Sequence, residues 1–270
     1  MSQPNLRFEL EKAWRLVTAL LRPLPSFVIA GAPKCGTSTL YDHLTSLPGV
    51  RRGARKEPTN FVHYPGSRFR AAMNYPIRLP GQKFIVGDGS VEYFAHPDAP
   101  GNVREIVPDA RLIFLLRDPV CRAWSDYQMF RKFGSDAADF SATVRSAMRW
   151  LDDPDVLPLA DAAARQAWHP ARYVLCGWYA RALERWLSVF PREQCLVLIS
   201  EELFANPAAG MPMVLRHAGL SGTVSHELPR AREGRYGETM PPETEQELRG
   251  FFASRNHALS EMLGRELPWA

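Results

Sequence analysis

The sequence predicts an α/β fold in which helices flank a central parallel sheet. Three observations lead to this prediction: four short apolar runs typical of buried strands, amphipathic stretches between them, and glycine or proline where runs end. Strands that alternate with helices form parallel sheets, and ligands bind beyond the carboxyl ends of such strands. The 270 residues suffice for one α/β domain of generous size, so we treat 1–270 as a single domain.

The first element, within residues 1–22, is predicted to be an amphipathic helix. Its pattern is LRFELEKAWRLVTALL, from Leu6 to Leu21. Five charged residues interrupt the apolar positions, which makes the segment too polar to span a bilayer. We expect this helix to pack on its own domain, although such a helix could also touch a membrane surface. The N-terminus shows no secretory signal, so a cytoplasmic location without a transmembrane segment is expected.

The stretch FVIAGAPKCGTSTLYDHL, residues 27–44, predicts a strand, a tight loop and a helix. The apolar run 27–30 suits a buried strand, and helical spacing begins after Gly36. The first N–H groups of a helix are free and lie at its positive end, which favours an anion and above all phosphate. The hydroxyls of Thr37, Ser38 and Thr39 add donors at the same place.

This loop differs from the ATP-binding form, G-x-x-x-x-G-K-[ST], in the position of its lysine. Gly31 and Gly36 have the required spacing, and Ser38 fits the last position. However, Thr37 stands where the lysine should be, and Lys34 comes two residues before the second glycine. We therefore expect the lysine to reach a different part of the bound molecule.

The other elements follow from apolar runs and helical periodicity along the chain. After a polar stretch of short strands and loops at 49–66, the predicted elements are a strand in QKFIVGDGS, a helix in PDAPGNVREIV, a strand in ARLIFLLRDP, a helix over 120–131, an irregular insertion over 152–169, a long helix over 171–190, a strand in QCLVLISEEL, a helix over 213–218, a loop in SHELPRAREGRYGETMPP and a helix over 243–263.

A second candidate anion site follows the strand of ARLIFLLRDP. Arg117 stands at the strand end, and Ser125 lies eight residues on, inside the next helix. Arginine offers a planar fork suited to phosphate oxygens, and serine offers a hydroxyl donor. The alternative is that Arg117 pairs with Asp118 or a helix end while Ser125 lies on the helix surface. Both candidate sites follow strands, so both should face one crevice and hold a ligand with two separated phosphates.

Composition bears on whether the protein binds anions, nucleic acid or metals. Lysine and arginine number 33 against 29 acidic residues, a net charge of +4. This mild excess permits an anionic ligand but does not indicate nucleic acid, which calls for a concentrated basic stripe. The four cysteines form no zinc-binding pattern, so we expect no metal and a reducing compartment.

Two motifs resemble those of the sulfotransferases that use 3′-phosphoadenosine 5′-phosphosulfate (PAPS). PKCGTSTL is similar to their 5′-phosphosulfate loop, and RDPVCRAWSDY to their 3′-phosphate motif. Further similar segments are RKEPTNF, YARALERWLSVFP, EELFANP and REGRYGETMPPE, so the resemblance spans nearly the whole chain. It is strongest to the branch with heparan sulfate sulfotransferases and bacterial relatives.

The resemblance implies a fold like that of the P-loop-containing nucleotide hydrolases and a sulfotransferase activity. Such an enzyme moves a sulfuryl group from PAPS to a hydroxyl or amine of a carbohydrate or other small-molecule acceptor and releases 3′,5′-ADP, without a metal. It also implies roles for individual residues. These are the 5′-phosphate contacts of Cys35, Gly36, Thr37, Ser38 and Thr39, the bridging-oxygen contact of Lys34, the 3′-phosphate contacts of Arg117 and Ser125, and Glu57 as general base.

Some positions depart from the relatives. Thr59 stands where some carry histidine and Gly89 where some carry lysine; both positions bear on polysaccharide binding, so a heparan-like acceptor is not indicated. The acceptor site is expected along 51–64 and the insertion 152–169. The late loop RAREGRYG, 230–237, resembles one that closes over the 3′-phosphate. There Glu233 replaces a lysine, and Arg232, Gly234 and Arg235 are predicted to make the contact instead.

Three alternatives remain open at this point. Glu57 could belong to a surface charge cluster with Arg55 and Lys56. The protein could be a P-loop kinase or NTPase in which Asp118 holds a metal, but that requires a lysine at position 37. It could also bind a nucleotide without catalysis, against which Lys34 and Glu57 both argue. The oligomeric state is not indicated.

Overall fold

The computed structural model describes residues 6–134, 138–152, 171–222, 228 and 238–269. Within these residues the centre is a five-stranded sheet with the order β2-β3-β1-β4-β5, and every neighbouring pair is parallel. The strands are β1 (Phe27–Gly31), β2 (Val50–Arg51), β3 (Ile85–Asp88), β4 (Arg111–Leu116) and β5 (Cys195–Ile199). The predicted parallel α/β sheet is confirmed.

The two central strands explain where a ligand can bind. All residues of β1 are buried, and so are all residues of β4 except Arg111. Strands covered on both faces are apolar along their whole length, which is why both read as continuous apolar runs. Val28 pairs with Leu112, so the two strands lie side by side. Because they are parallel, the loops that follow them emerge together at one edge of the sheet.

Helices cover the sheet and form most of the remaining structure. They are α1 (Leu6–Val17), α2 (Thr37–Ser46), α3 (Asn60–His63), α4 (Arg68–Ala72), α5 (Ala99–Ile106), α6 (Pro119–Lys132), α7 (Phe140–Asp152), α8 (Arg172–Leu175), α9 (Tyr179–Val189), α10 (Ser200–Ala205), α11 (Pro207–Ala218) and α12 (Pro242–Leu263). Short 3₁₀ turns occupy Ala19–Leu21, Val91–Tyr93 and Arg192–Gln194.

One aromatic residue of α9 joins that helix to the sheet. Trp186 is fully buried, and its ring centroid lies 5.3 Å from that of Phe114 in β4. Its indole Nε1 donates a hydrogen bond to the main-chain oxygen of Phe94 at 3.2 Å. A buried indole N–H needs such a partner, so the contact fixes α9 to the residue after the 3₁₀ turn Val91–Tyr93 as well as to β4.

The predicted long helix over 171–190 is wrong. The structure has two helices, α8 and α9, separated at Cys176–Trp178. The reason lies at Gly177, where an added Cβ would come within 2.7 Å of the Phe252 ring and 3.1 Å of Pro119 Cβ. Two other elements approach the chain closely at this point, and the local apolar pattern carries no sign of them.

Two further findings concern residues 138–171. The amphipathic helix α7 is absent from the predicted elements; it buries Phe140, Val144 and Leu151. Its last residue, Asp152, is also the first of the predicted insertion 152–169, whose remaining residues lie outside the described ones.

A buried ionic cluster fixes α6, the helix that carries Ser125. Arg122 and Asp126 are both fully buried, with Nη1 and Oδ2 3.1 Å apart. The same Oδ2 accepts from Arg172 Nε in α8 at 3.2 Å, and Arg122 also donates to the main-chain oxygen of Tyr173. Removal of one partner would leave an uncompensated buried charge, so this cluster holds α6 firmly against α8.

The predicted helix α1 is observed, but three of its large apolar side chains are not packed on the domain. Leu10, Trp14 and Val17 are 62%, 60% and 79% exposed. The helix contacts the domain through a polar group instead, since Arg15 donates to the main-chain oxygen of Met73 at 3.1 Å. Among the described residues, no helix combines the length and apolarity needed to cross a bilayer.

Candidate active site

The loop between β1 and α2 has the geometry of an anion site. Gly36 precedes α2 with φ 83°, and an added Cβ would lie 2.4 Å from the ring of Phe204. Only glycine fits both the left-handed backbone and this close approach. Gly36 makes no side-chain cap at the start of α2, and the N-terminus of a helix favours an anion. Thr37 and Thr39 are buried in the first turn of that helix.

Hydrogen bonds tie this loop to the ends of β4 and β5. Ala32 N donates to the main-chain oxygen of Leu115 at 2.8 Å, and Ser200 Oγ donates to that of Cys35 at 2.6 Å. Cys35 itself is buried, and burial raises the pKa of its thiol to about 12. The thiol therefore stays protonated at neutral pH, and any ligand contact of Cys35 must come from its main chain.

Lys34 lies between the loop and α6. Its backbone has φ 67°, which is uncommon for a residue other than glycine, and such residues cluster at active sites and ligand clamps. Its Nζ is 3.4 Å from the sulfur of Met129 in α6. The lysine thus stands at the mouth of the loop, on the side that faces the helix with Ser125.

Arg117 joins the two motifs. It follows β4 directly, and its Nη1 donates to the main-chain oxygen of Lys34 at 3.4 Å. The alternative pairing with Asp118 is not observed. Asp118 instead caps α6 by accepting from Val120 N at 2.8 Å, and its second oxygen accepts from Arg249 at 3.4 Å. The guanidinium of Arg117 is therefore turned towards the loop.

Ser125 lies on the same side of α6 as the contact to Lys34. It is half-buried and stands four residues before Met129, and residues four apart share one face of a helix. Because Met129 lies against Lys34, this face of α6 is turned to the loop. The structure thus brings Lys34, Arg117 and Ser125 to one edge of the sheet, as the motifs predict.

Glu57 lies beside the start of α2, next to a lysine that the motif analysis did not single out. Lys56 Nζ is 2.5 Å from Glu57 Oε1 and 3.5 Å from Thr37 Oγ1. The charge cluster considered as an alternative does exist as a Lys56–Glu57 pair, but it sits at the anion loop. In the sequence, the lysine that directly precedes the glutamate in RKEP could have indicated this ion pair.

Two hydrogen bonds hold the segment of Glu57 against the end of β3. Gly89 N donates to the main-chain oxygen of Lys56 at 3.0 Å, and Thr59 N donates to Ser90 Oγ at 3.1 Å. Ser90 N in turn donates to the fully buried carboxylate of Asp88 at 2.8 Å. Asp88 is therefore linked through Ser90 to the segment that carries Glu57.

Burial changes the acidity of two carboxyls in this region that sequence reasoning missed. Burial raises the pKa of Asp88 to about 6, although hydrogen bonds from Ser90 and Tyr75 oppose the shift. Burial also raises the pKa of Glu92, which Arg172 lowers in part and the charge of Glu57 raises further. Glu92 is thus a second carboxyl within electrostatic reach of Glu57.

The predicted contacts of Arg232, Gly234 and Arg235 lie outside the described residues. Glu238, which follows shortly after, is paired with Arg131 of α6, with Oε1 2.9 Å from Nη2. This pair holds Glu238 against α6, the helix that carries Ser125.

Comparison with known sequences gives a consistent result. Residues 24–236 match the model of the sulfotransferase domain. The heparan sulfate glucosamine 3-O-sulfotransferase 3B1 of Mus musculus is 28% identical over 274 residues, which cover 92% of this chain and 65% of the relative. The carbohydrate sulfotransferase 15 of Homo sapiens is 28% identical over 311 residues, covering 91% and 54%. The chain thus spans roughly half to two thirds of these relatives.

Solved structures extend the similarity to the fold. A sulfotransferase from Alicyclobacillus acidocaldarius superposes with a TM-score of 0.68 at 27% identity, over 91% of this chain and 98% of that one. A mouse sulfotransferase complexed with PAP shares the fold alone, with a TM-score of 0.53 at 13% identity over 94% of both chains. The expected P-loop-like architecture is confirmed. Because the sulfotransferase model matches most of the sequence, the chain belongs to the sulfotransferase domain family.

Proposed function

We propose that this protein transfers a sulfuryl group from PAPS to a hydroxyl or amine of a carbohydrate or other small-molecule acceptor, with release of 3′,5′-ADP. The observation that carries the proposal is the contact between Arg117 Nη1 and the main-chain oxygen of Lys34. It joins an anion loop and a second cationic position at one sheet edge, as a donor with phosphates at two separated points requires.

The reaction is a displacement at sulfur. The acceptor oxygen or nitrogen bonds to sulfur while the bond between sulfur and the 5′-phosphate oxygen breaks, and that oxygen keeps the electron pair. The acceptor proton passes to the carboxylate of Glu57. This residue is 39% exposed, so an acceptor can reach it.

The donor side is assigned to the loop and to α6. The main-chain N–H groups of Cys35 and Gly36 and the first turn of α2 would hold the 5′-phosphate. Lys34 would stabilise the charge that develops on the bridging oxygen, an electrostatic effect that is strong in a preorganised site. Arg117 and Ser125 would bind the 3′-phosphate, together with Arg232 and Arg235.

The acceptor is proposed to be a carbohydrate because the relatives carry carbohydrate substrates in their names. The segment 51–64 would line the acceptor site, since it contains Glu57 and lies beside the loop. Thr59 and Gly89 depart from the heparan sulfate enzymes, so the proposal extends to carbohydrates in general.

The kinase or NTPase alternative has less support. Thr37 occupies the position of the ATP-loop lysine, and both carboxylate oxygens of Asp118 already accept hydrogen bonds. A thermal-shift comparison of 3′,5′-ADP with ATP plus Mg²⁺ separates the two functions. A ligand at a hundred times its Kd stabilises a protein by about 2.7 kcal/mol, so 3′,5′-ADP should raise the unfolding temperature clearly. Stabilisation by ATP and Mg²⁺ with no effect of 3′,5′-ADP would overturn the proposal.

A transfer assay then tests the chemistry. The protein is incubated with [³⁵S]PAPS and a panel of desulfated glycosaminoglycans, oligosaccharides and phenols. We expect labelled product from at least one acceptor, with a matching release of 3′,5′-ADP.

A further inference from the structure

The ammonium of Lys56 lies between the proposed 5′-phosphate site and the proposed general base, Glu57. It lies 3.5 Å from Thr37 Oγ1, in the first turn of α2, and 2.5 Å from Glu57 Oε1. The Lys56 side chain is only 14% exposed, whereas that of Glu57 is 39% exposed. A largely buried cation thus bridges the donor loop and the carboxylate that faces the acceptor.

Gly89 determines the path of the Lys56 side chain. An added Cβ at Gly89 would lie 3.1 Å from Lys56 Cγ and 3.2 Å from Cε, so the lysine stem crosses the bare face of this glycine. The ring of Tyr41 also approaches this point, to 2.9 Å. The main chain is fixed too, because Gly89 N donates to the oxygen of Lys56. Stem and backbone are therefore both anchored to the end of β3.

The lysine also limits where the Glu57 carboxylate can go. A glutamate at the surface samples many rotamers, while a short contact to an anchored ammonium selects those near α2. Because the Glu57 side chain is 39% exposed, water screens this ion pair and limits its contribution to folding stability, so the pair is better explained by placement than by stability.

We propose that Lys56 is a positioning residue of the transfer site, which holds the Glu57 carboxylate beside the donor loop so that it meets the acceptor proton. This inference rests on the proposed function. It adds a residue whose effect on the reaction passes through Glu57.

The first test is a double-mutant cycle of Lys56→Met and Glu57→Gln. The rate is measured as release of 3′,5′-ADP from PAPS with water as acceptor, and 3′,5′-ADP affinity by calorimetry. A misplaced catalytic group can lower the rate about 10²-fold, so Lys56→Met should lower kcat to that extent. The Kd for 3′,5′-ADP and the unfolding temperature should stay nearly unchanged. In the Glu57→Gln background, Lys56→Met should cause no further loss.

Two variants test the geometry without removing the charge. Gly89→Ala places a methyl group against the Lys56 stem and should lower kcat in the same way. Gly101→Ala is the matched control, because an added Cβ there meets nothing within 4 Å. Lys56→Arg keeps the cation and should recover part of the rate.

A second measurement needs no turnover. Lysines are acetylated under limiting reagent and quantified by mass spectrometry, with and without 3′,5′-ADP. The nucleotide should protect Lys56 and Lys34 and leave the exposed Lys83 unchanged. Glu57→Gln should make Lys56 more reactive.

The outcomes separate this inference from the proposed function. If the wild-type protein does not bind 3′,5′-ADP, the proposed function fails. If it binds 3′,5′-ADP but Lys56→Met keeps the wild-type rate, the positioning role is wrong. The role is also wrong if Lys56→Met lowers the rate by the same factor in the wild-type protein and in the Glu57→Gln variant. Equal acetylation of Lys56 with and without 3′,5′-ADP would also contradict it.

Discussion

The guanidinium of Arg117 donates to the main-chain oxygen of Lys34 at 3.4 Å, across 83 positions of the chain. This contact joins the end of β4 to the loop after β1. It rests on the central position of these two strands, which are parallel neighbours and emerge at the same edge. The proposed 5′-phosphate and 3′-phosphate contacts therefore lie at the same sheet edge, and each can be tested by substitution of a single residue.

Replacement of Lys34 by alanine should slow transfer much more than it weakens nucleotide binding. The ammonium is proposed to act on charge that develops only as the bond to sulfur breaks. Loss of one such group costs about 10²–10³-fold in kcat. The check is kcat with PAPS beside the Kd for 3′,5′-ADP, with the exposed Lys83→Ala as control. A Lys34→Ala protein of normal activity would refute the mechanism.

Glu57→Gln should lower turnover while donor affinity holds. Glutamine keeps the shape of the side chain but cannot accept the acceptor proton. Loss of a general base costs about 10²–10⁴-fold in rate. Steady-state kinetics and 3′,5′-ADP titration measure the two effects, and the exposed Glu193→Gln serves as control. An unchanged rate would return Glu57 to a surface role.

Arg117→Ala and Ser125→Ala should discriminate between two nucleotides. Both residues are proposed to bind the 3′-phosphate, and a hydrogen bond to a charged group contributes about 1.5–3 kcal/mol. We expect affinity for 3′,5′-ADP to fall about tenfold or more, while affinity for adenosine 5′-phosphate changes little. Equal losses for both nucleotides would mean that these side chains support the fold.

Arg232→Ala and Arg235→Ala test the proposed closure over the 3′-phosphate. Relatives carry a lysine at the position of Glu233. If the two arginines supply its positive charge, each change should weaken 3′,5′-ADP binding. The nucleotide should also protect the segment 230–237 from limited proteolysis. Full affinity in both variants together with unprotected cleavage would exclude this segment from the donor site.

The buried carboxyl of Asp88 should make stability depend on pH. Burial raises its pKa from 3.8 to about 6, so between about pH 4 and 6 the folded protein binds more protons than the unfolded chain. Its contribution to the free energy of unfolding therefore falls as pH rises through this range and is level above it.

Asp88→Asn removes this titration. The difference in free energy of unfolding, wild type minus variant, should fall by on the order of 3 kcal/mol from about pH 4 to about pH 7. Urea unfolding at several pH values measures it. A difference that does not vary with pH would show that Asp88 titrates normally.

Features that depend on neighbouring residues were predicted well. Strands β1, β4 and β5 follow from continuous apolar runs, since both faces of a parallel sheet are covered. The anion loop follows from glycine spacing before a helix, because its N–H groups converge through local backbone geometry.

Features that depend on distant residues were predicted poorly. The break between α8 and α9 arises where Phe252 and Pro119 approach Gly177, and no local pattern marks that approach. The exposed apolar face of α1 is a similar case. Its periodicity indicates a helix, but whether anything covers that face depends on the rest of the molecule.

The sequence by itself determined the parallel α/β class, the anion loop with Lys34, and Arg117 at a strand end. All of these are written in short contiguous stretches. The tertiary structure alone decided that Lys56 joins Thr37 to Glu57. That junction requires β3 to lie beside β1, so that Gly89 meets the segment of Lys56. Strand order arises from packing across the whole chain, and local periodicity does not encode it.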